Sequence, residues 1–276
     1  MNRTGRVRNY FAGNVVWITG ASSGIGRGIA LGCAKAGAKL IISARRREKL
    51  EEVVDEIGAI PACPGVSPLV FDLTDHQAVV EKTKEAVSIY GGIDVLINNA
   101  GISQRALTKD LSYETAEQII KTNLLAVTDL TLAVLRLMYK NRSGHIVATS
   151  SIMGKMGTPY RSAYCAAKHG LHGFFSSLAA EGRPDNIAVT LLVPGRVKTN
   201  ISYHALNGSG EEYGKMDSGL HLGLPVSQAV PGILNAIAKL KFEYYFGLNA
   251  LMRFGLLLTK IAPRLYLRLL SKVKVT

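Results

Sequence analysis

Short apolar runs alternate with amphipathic stretches along the first two thirds of the chain. Residues 14–19 (NVVWIT), 39–43 (KLIIS), 69–71, 95–97, 144–150 (GHIVATS) and 187–193 (IAVTLLV) each hold consecutive apolar positions. Such runs are expected of strands covered on both faces. Between them, residues 25–36, 48–57, 75–90, 113–139 and 162–181 carry helical patterning, with Asp75 as an N-cap. Strand–helix alternation of this kind predicts an α/β fold: a doubly wound parallel sheet, or Rossmann fold, in a single domain. The pattern changes after Pro194-Gly195. Residues 201–225 are polar, glycine-rich and irregular, as expected of a lid over a pocket. A helix at 226–239 and a last strand at 243–246 follow, and then a stretch in which single cations interrupt apolar residues. The expected organisation is a basic N-terminal arm (1–13), a catalytic domain (14–247) with its lid at about 201–225, and a basic, apolar helical tail (248–276).

Composition narrows the class. A chain of 276 residues with 47% hydrophobic and 19% charged residues buries a large core. Cys33, Cys63 and Cys165 are too scattered for a disulfide framework, and no C-x-x-C occurs, so neither a disulfide scaffold nor a metal site is expected. That suits a reducing, cytoplasmic location. The net charge of +13 gathers at the ends: Arg3, Arg6 and Arg8 carry no acid among them, and residues 239–276 hold eight Lys/Arg against Glu243. No nucleic-acid motif accompanies this charge, so a nucleic-acid partner is not expected. No signal peptide and no 18-residue charge-free apolar window are evident. Cations at 253, 260, 264 and 268 fall near one helical stripe that Pro263 must break or begin. Two readings stay open for this tail: an in-plane anchor giving peripheral membrane association, or helices packed over the active site or a subunit interface.

The first strand runs into Thr19-Gly20-Ala21-Ser22-Ser23-Gly24-Ile25-Gly26. Glycines between a strand and a helix let backbone N–H groups approach a pyrophosphate at the positive end of the helix. The spacing is G-x-x-x-G-x-G, not the general dinucleotide fingerprint, and by itself the turn is a weak signal. At the end of the second strand the acid that would bind an unphosphorylated ribose is replaced by Ala44, followed by Arg45, Arg46 and Arg47. A guanidinium binds a 2′-phosphate that an acid would repel. NADP is therefore the expected cofactor, with Arg45 as phosphate ligand, Arg46 undecided and Arg47 a solvated helix start.

With these residues the chain resembles the classical short-chain dehydrogenase/reductase family. The resemblance rests on T-G-x-x-x-G-x-G at 19–26, N-N-A-G at 98–101, Asn123 in KTNLLAV, Ser151 followed by Tyr164-x-x-x-Lys168, and Pro194-Gly195 with Thr199. It implies Ser151, Tyr164, Lys168 and Asn123 as catalytic residues. It also implies cofactor contacts from Gly20, Ser22, Ser23, Gly24, Ile25, Gly26, Asp72, Leu73, Asn99, Ala100, Gly101, Tyr164, Lys168, Pro194, Gly195, Val197 and Thr199. Tyr164 and Lys168 share a helix face. A free phenol has a pKa of about 10, and Lys168 together with an oxidised nicotinamide would bring it toward working pH. Ser151 would bond the substrate oxygen, whereas strand alternation aims Ser150 the other way. His145, His169 and His172 are read as structural. A narrower similarity, to membrane-associated animal reductases, lies in the run from Lys155 to Tyr164 and in the basic tail. It implies a bulky apolar ketone or alcohol, lipid- or steroid-like, with Met153, Met156 and Tyr160 lining the pocket, and a homodimer or homotetramer. The alternatives are a 3-oxoacyl reductase and a non-catalytic NADP(H)-binding redox sensor.

Overall fold

The computed structural model describes residues 2–217 and 221–272. Residues 218–220 of the expected lid and the end of the tail from 273, with Lys274, lie outside the described residues. Seven parallel strands form one sheet: β1 (Val15–Thr19), β2 (Lys39–Ala44), β3 (Gly65–Val70), β4 (Val95–Asn98), β5 (Gly144–Thr149), β6 (Ile187–Pro194) and β7 (Glu243–Phe246). Their spatial order is β3-β2-β1-β4-β5-β6-β7. The order reverses between β1 and β4, which opens a crevice at the carboxyl ends of those strands.

The consecutive apolar runs have a direct cause. Val16 and Ile18 of β1, Leu40 and Ile42 of β2 and Ile97 of β4 pack on one face. That face is covered by α1 (Arg3–Phe11), α2 (Gly24–Lys35), α3 (Arg47–Gly58) and α8 (Val226–Ala238). Trp17, Ile41 and Leu96 point to the opposite face, under α4 (His76–Tyr90), α6 (Ala126–Asn141) and α7 (Ser162–Glu181). Each fully buried side chain of this size contributes about 2 kcal/mol relative to exposure.

Three details differ from the sequence expectation, and the tail follows it. The third strand starts at Gly65, well before position 69, and leaves Phe71 outside it. Gly-Val-Ser-Pro looks like a turn, but β3 is an edge strand, where Pro68 is tolerated. The long helix is α5 (Tyr113–Ile120) joined to α6 by a π-helical turn, Lys121–Leu125. Across Tyr113–Asn141 it is long and apolar enough to span a membrane, yet its inner side packs on the sheet. The basic N-terminal segment is not a free arm: α1 docks through Phe11, fully buried, and through Tyr10, whose hydroxyl lies 2.6 Å from Nδ1 of His145. The tail forms two helices, α9 (Ala250–Ile261) and α10 (Pro263–Leu270), and Pro263 opens the second.

Candidate active site

A cleft of about 420 Å³ lies over the carboxyl ends of the strands, where the sheet order reverses. The turn after β1 forms its floor. Gly20 and Gly24 adopt the left-handed backbone, φ +63° and +55°. A Cβ at Gly20 would lie 2.8 Å from Cα of Ala100, so the turn and the segment after β4 touch backbone to backbone. Gly20, Ser22, Ser23, Gly24 and Ile25 line the cleft. Gly26 does not. It sits behind the turn, where a Cβ would run into the Gly20 carbonyl and the Asn99 amide. Its use is therefore close helix–strand packing. The Thr19 hydroxyl accepts from the N–H groups of Asn99 and Ala100 at 3.1 and 3.2 Å, and Thr149 donates to Oδ1 of Asn99 at 3.2 Å. These bonds tie the ends of β1, β4 and β5 together under the cleft.

Arg45, Arg46, Asp72 and Leu73 line one end. Arg45 is largely exposed, with Nη1 3.8 Å from Asp72 Oδ2. Burial opposes ionisation of Asp72, but hydrogen bonds from Thr74 and the charges of Arg45 and Lys121 hold its carboxyl below the usual range. Pro194, Gly195, Val197 and Thr199 line the other end, with Asn200, Ile201 and His204 of the segment that follows. The donor set suits a dinucleotide: a glycine turn, closed to a Cβ at Gly20, leads into a helix N-terminus and is flanked by an exposed cation.

Ser151, Tyr164, Lys168 and Asn123 meet in the middle of this cleft. Ser151 follows β5, and its hydroxyl caps a short 3-10 turn by accepting from the Met153 N–H at 3.2 Å. The Ser151 side chain also acts on the Tyr164 hydroxyl, in the direction that lowers the phenol. Lys168, one helical turn further along α7, donates to the Thr149 carbonyl at 2.8 Å, with Nζ 5.7 Å from the Tyr164 ring centre. Burial pushes the Lys168 ammonium down to about 8. It also raises the Tyr164 phenol, against the lowering pull of the Arg161 charge and the Ser151 side chain. Arg161 and Ser151 thus pull the phenol in the direction that the sequence reading expects of Lys168 and the nicotinamide. Low-dielectric surroundings disfavour both charged forms of the Tyr–Lys pair.

Asn123 is fully buried inside the π turn. Its amide donates to the carbonyls of Ile102 and Ile119, both at 2.9 Å, and its Oδ1 accepts from the Ile102 N–H at 3.2 Å. The side chain thus satisfies the carbonyl four residues back while clamping the segment after β4. A Cβ at Gly101 would come 2.6 Å from Oδ1, which explains that glycine.

Ser150 faces away, as alternation predicts. Its hydroxyl donates to the Lys168 carbonyl at 3.3 Å and lies 3.0 Å from Nε2 of His172, whose Nδ1 is 3.2 Å from Glu243. This chain fastens α7 to β5 and β7. Met153, Met156 and Tyr160 are not among the residues lining this cleft. Met153 packs with Tyr164 and Ile119, Met156 meets Gly255 of α9, and Tyr160 stacks on Arg105. Sequence reasoning missed Gln104, whose Oε1 accepts from the N–H groups of Ala163 and Tyr164 at 2.9 and 3.2 Å. It caps α7 from outside the helix, a long-range role without a local signal. The buried Ser103, Arg105 and Arg161, with the half-buried Asp217 that pairs with both arginines, were missed too. Arg161 is the one member with a sequence cue: a lone cation in an otherwise uncharged run beside Tyr164.

Residues 14–208 match the family model described as short chain dehydrogenase. Among curated proteins, the chain is 39% identical over 271 residues to "Dehydrogenase/reductase SDR family member 7B" of Bos taurus, covering 96% of this chain and 83% of that one. It is 36% identical over 276 residues to "Dehydrogenase/reductase SDR family protein 7-like" of Anopheles gambiae, covering 99% and 86%. Among solved structures, a short-chain dehydrogenase from Streptomyces avermitilis superposes with a TM-score of 0.77 at 27% identity, covering 94% of this chain and 97% of that one. An alcohol dehydrogenase from Thermococcus sibiricus, complexed with 5-hydroxy-NADP, gives 0.71 at 26% identity, covering 84% and 95%. With the glycine turn, the Ser–Tyr–Lys grouping and the strand order already in place, these matches settle the family: the chain belongs to the short-chain dehydrogenase/reductases and is one of their nicotinamide-dependent oxidoreductases.

Proposed function

We propose that the protein is an NADP(H)-dependent carbonyl reductase acting on a bulky apolar ketone, or on the corresponding secondary alcohol in reverse. The observation that carries this reading is the meeting of Ser151, Tyr164 and Lys168 in one cleft with the glycine turn. The residues suited to hold the cofactor are Gly20–Ile25 for the pyrophosphate, Arg45 for a 2′-phosphate, Asp72 and Leu73 for the adenine, and Asn99–Gly101 with Pro194–Thr199 toward the nicotinamide. When bound, the nicotinamide supplies the hydride. Ser151 donates a hydrogen bond to the carbonyl oxygen and steadies the charge that grows there. Tyr164 gives that oxygen its phenolic proton. Lys168 favours the phenolate that remains, and Asn123 keeps the segment after β4 and the helix in register. Arg45 supports the choice of NADP(H): its present partner, the Asp72 carboxylate, is 3.8 Å away and exposed, so a phosphate can compete for it.

The test is cofactor oxidation by the full chain across a panel of apolar ketones and 3-oxoacyl thioesters. We expect NADPH to be oxidised, and Tyr164→Phe to reduce turnover roughly 10²–10⁴-fold with NADPH binding retained. Arg45→Ala should weaken NADPH binding at least about tenfold and NADH binding far less. NADPH binding without turnover on any substrate would favour the redox sensor. Turnover confined to 3-oxoacyl thioesters would favour the 3-oxoacyl reductase.

We further propose that the tail works at a membrane surface with its outer side while its inner side roofs the substrate end. Gly255, Leu258 and Tyr266 are buried, and the Tyr266 hydroxyl donates to the Gly157 carbonyl. Leu251, Phe254, Leu257 and Ile261 are exposed along one stripe of α9, beside exposed Arg253, Lys260, Arg264 and Arg268. That mixture suits an anionic lipid surface.

A further inference from the structure

Two arginines are buried beside the cleft, and a single carboxylate from the lid reaches both. Arg161 and Arg105 are 4% and 7% exposed. The Arg161 guanidinium donates to Oδ2 of Asp217 and to Oγ of Ser103. Nη1 of Arg105 lies 3.3 Å from Oδ1 of Asp217, and Ser202 donates to Oδ2 at 2.9 Å. Arg105 lies over the rings of Tyr160 and Tyr213, at 5.1 and 5.7 Å from their centres. Tyr160, immediately before Arg161, adopts the left-handed backbone at φ +64°, a strained state for a tyrosine that the surroundings must hold. The Tyr160 carbonyl accepts from the Ala106 N–H at 3.2 Å, which joins the strained residue to the same segment as Ser103 and Arg105.

Arg161 is the N-cap residue of α7 but makes no side-chain cap bond, so capping does not explain it. Tyr164 stands one turn further on. A buried ion pair is weak support for stability, because well-packed apolar residues of similar volume often do as well. A cation kept at that position has another use. Resting on the oxidoreductase reading above, we propose that Arg161 is a positioning residue for the Tyr164 proton: its guanidinium, held by the Asp217 carboxylate, supplies a standing positive charge that favours the phenolate.

The groups facing Tyr164 can be named element by element. Arg161, Cys165 and Lys168 share its helix, and Ser151 comes from the end of β5. Ile119 and Ala116 of α5, Ile102, Met153 and Leu206 of the lid are apolar. His204 of the lid lines the same cleft and pairs with Glu212 at 2.8 Å. Among the charges, Arg161 pulls the phenol down most against burial. A guanidinium stays protonated throughout the working range, whereas burial brings Lys168 down to about 8.

The two ends of the clamp should shift the proton equilibrium in opposite directions, which a purely structural role would not do. The experiment follows kcat/KM for oxidation of a secondary alcohol against pH, using the full chain with NADP+. The rate rises with pH as Tyr164 becomes able to accept the alcohol proton. Arg161→Gln removes the cation and should move the midpoint of that rise up by roughly one pH unit. Asp217→Asn removes the opposing anion and should move it down. Arg161→Lys, which keeps the charge, should return it toward wild type. Equal midpoints in the wild type, R161Q and D217N, with only the rate reduced, would overturn the role. Should R161Q not fold, D217N decides alone, since Asp217 lies at the partly exposed lid: a downward midpoint supports the role and an unmoved one overturns it. A wild-type chain that oxidises no alcohol, or undiminished turnover in Tyr164→Phe, would overturn the oxidoreductase reading and this inference with it.

Discussion

Lys168 carries its charge at a cost. It is 3% exposed, and its ammonium is held down to about 8 from an ordinary value of 10.5. Between those values the unfolded chain binds more protons than the folded one, so the contribution of Lys168 to stability rises with pH there. Below pH 8 both states are charged and the burial penalty is present in full. Urea unfolding of Lys168→Met should show no such rise. We expect the wild type to gain on the variant by up to about 1.4 kcal/mol per pH unit from pH 8 toward 10. A parallel course of the two would mean that the ammonium is better solvated than its surroundings indicate. His145 gives the acid-side counterpart. It is 2% exposed between Tyr10 and Thr190, and burial pushes it from 6.5 down to about 3. The unfolded chain takes up the proton first, so stability is full above pH 6.5 and falls as pH drops toward 3. His145→Gln should flatten that part of the melting-temperature profile while lowering its plateau, because two hydrogen bonds go with the ring.

At the scale of elements, the site depends on parts that hold α5, α6 and α7 against the strand ends. Asn123 is the clearest case. Replacing it with leucine keeps the bulk but leaves the Ile102 N–H and the carbonyls of Ile102 and Ile119 without their partner. The expected loss is about 2–4 kcal/mol in urea unfolding, with far-ultraviolet circular dichroism unchanged. A smaller loss would mean that the π turn relaxes to an ordinary helix. Gly26→Ala should act differently. The added carbon meets the Gly20 carbonyl and the Asn99 amide, so α2 must retreat from the glycine turn. Nucleotide binding should weaken more than tenfold, read by fluorescence titration. The legibility of these parts in the sequence varies for physical reasons. The glycine turn, the strand ends and Tyr164 with Lys168 were readable because each is a local spacing that one turn or one helix face converts into geometry. The π turn was not, since one extra residue per turn leaves the apolar pattern of residues 113–139 almost unchanged. Gln104 beneath Tyr164, and Asp217 on Arg161, were invisible because their partners lie 60 and 56 residues away. Strand β3 was half hidden because Pro68 is acceptable only at a sheet edge, and edge position is a property of the assembled sheet.

For the molecule as a whole, the two open readings of the tail need not exclude each other. A helix pair has an inner and an outer side, and here the two differ in chemistry. Inside, Gly255 sits 3.3 Å, measured from a Cβ built on it, from the Met156 methyl, and Tyr266 bonds the loop that leads to Tyr164. Burial raises the Tyr266 phenol to about 12, so that bond persists through the physiological range. Outside, Leu251, Ile261 and Leu267 are 71, 68 and 63% exposed, too apolar a row to face water without a purpose. If that row meets lipid, the double variant Phe254→Glu, Leu257→Glu should stop the full chain from sedimenting with anionic vesicles, while turnover of a water-soluble ketone stays within about twofold, because neither side chain touches the cleft. Neutral vesicles should bind the wild type more weakly, and added salt should weaken binding to anionic ones, as the exposed cations require. Tyr266→Phe should do the reverse: it loosens the roof, changes KM for large apolar ketones and leaves sedimentation intact. Unchanged sedimentation of the double glutamate variant would remove the lipid reading and leave the outer row to a protein partner.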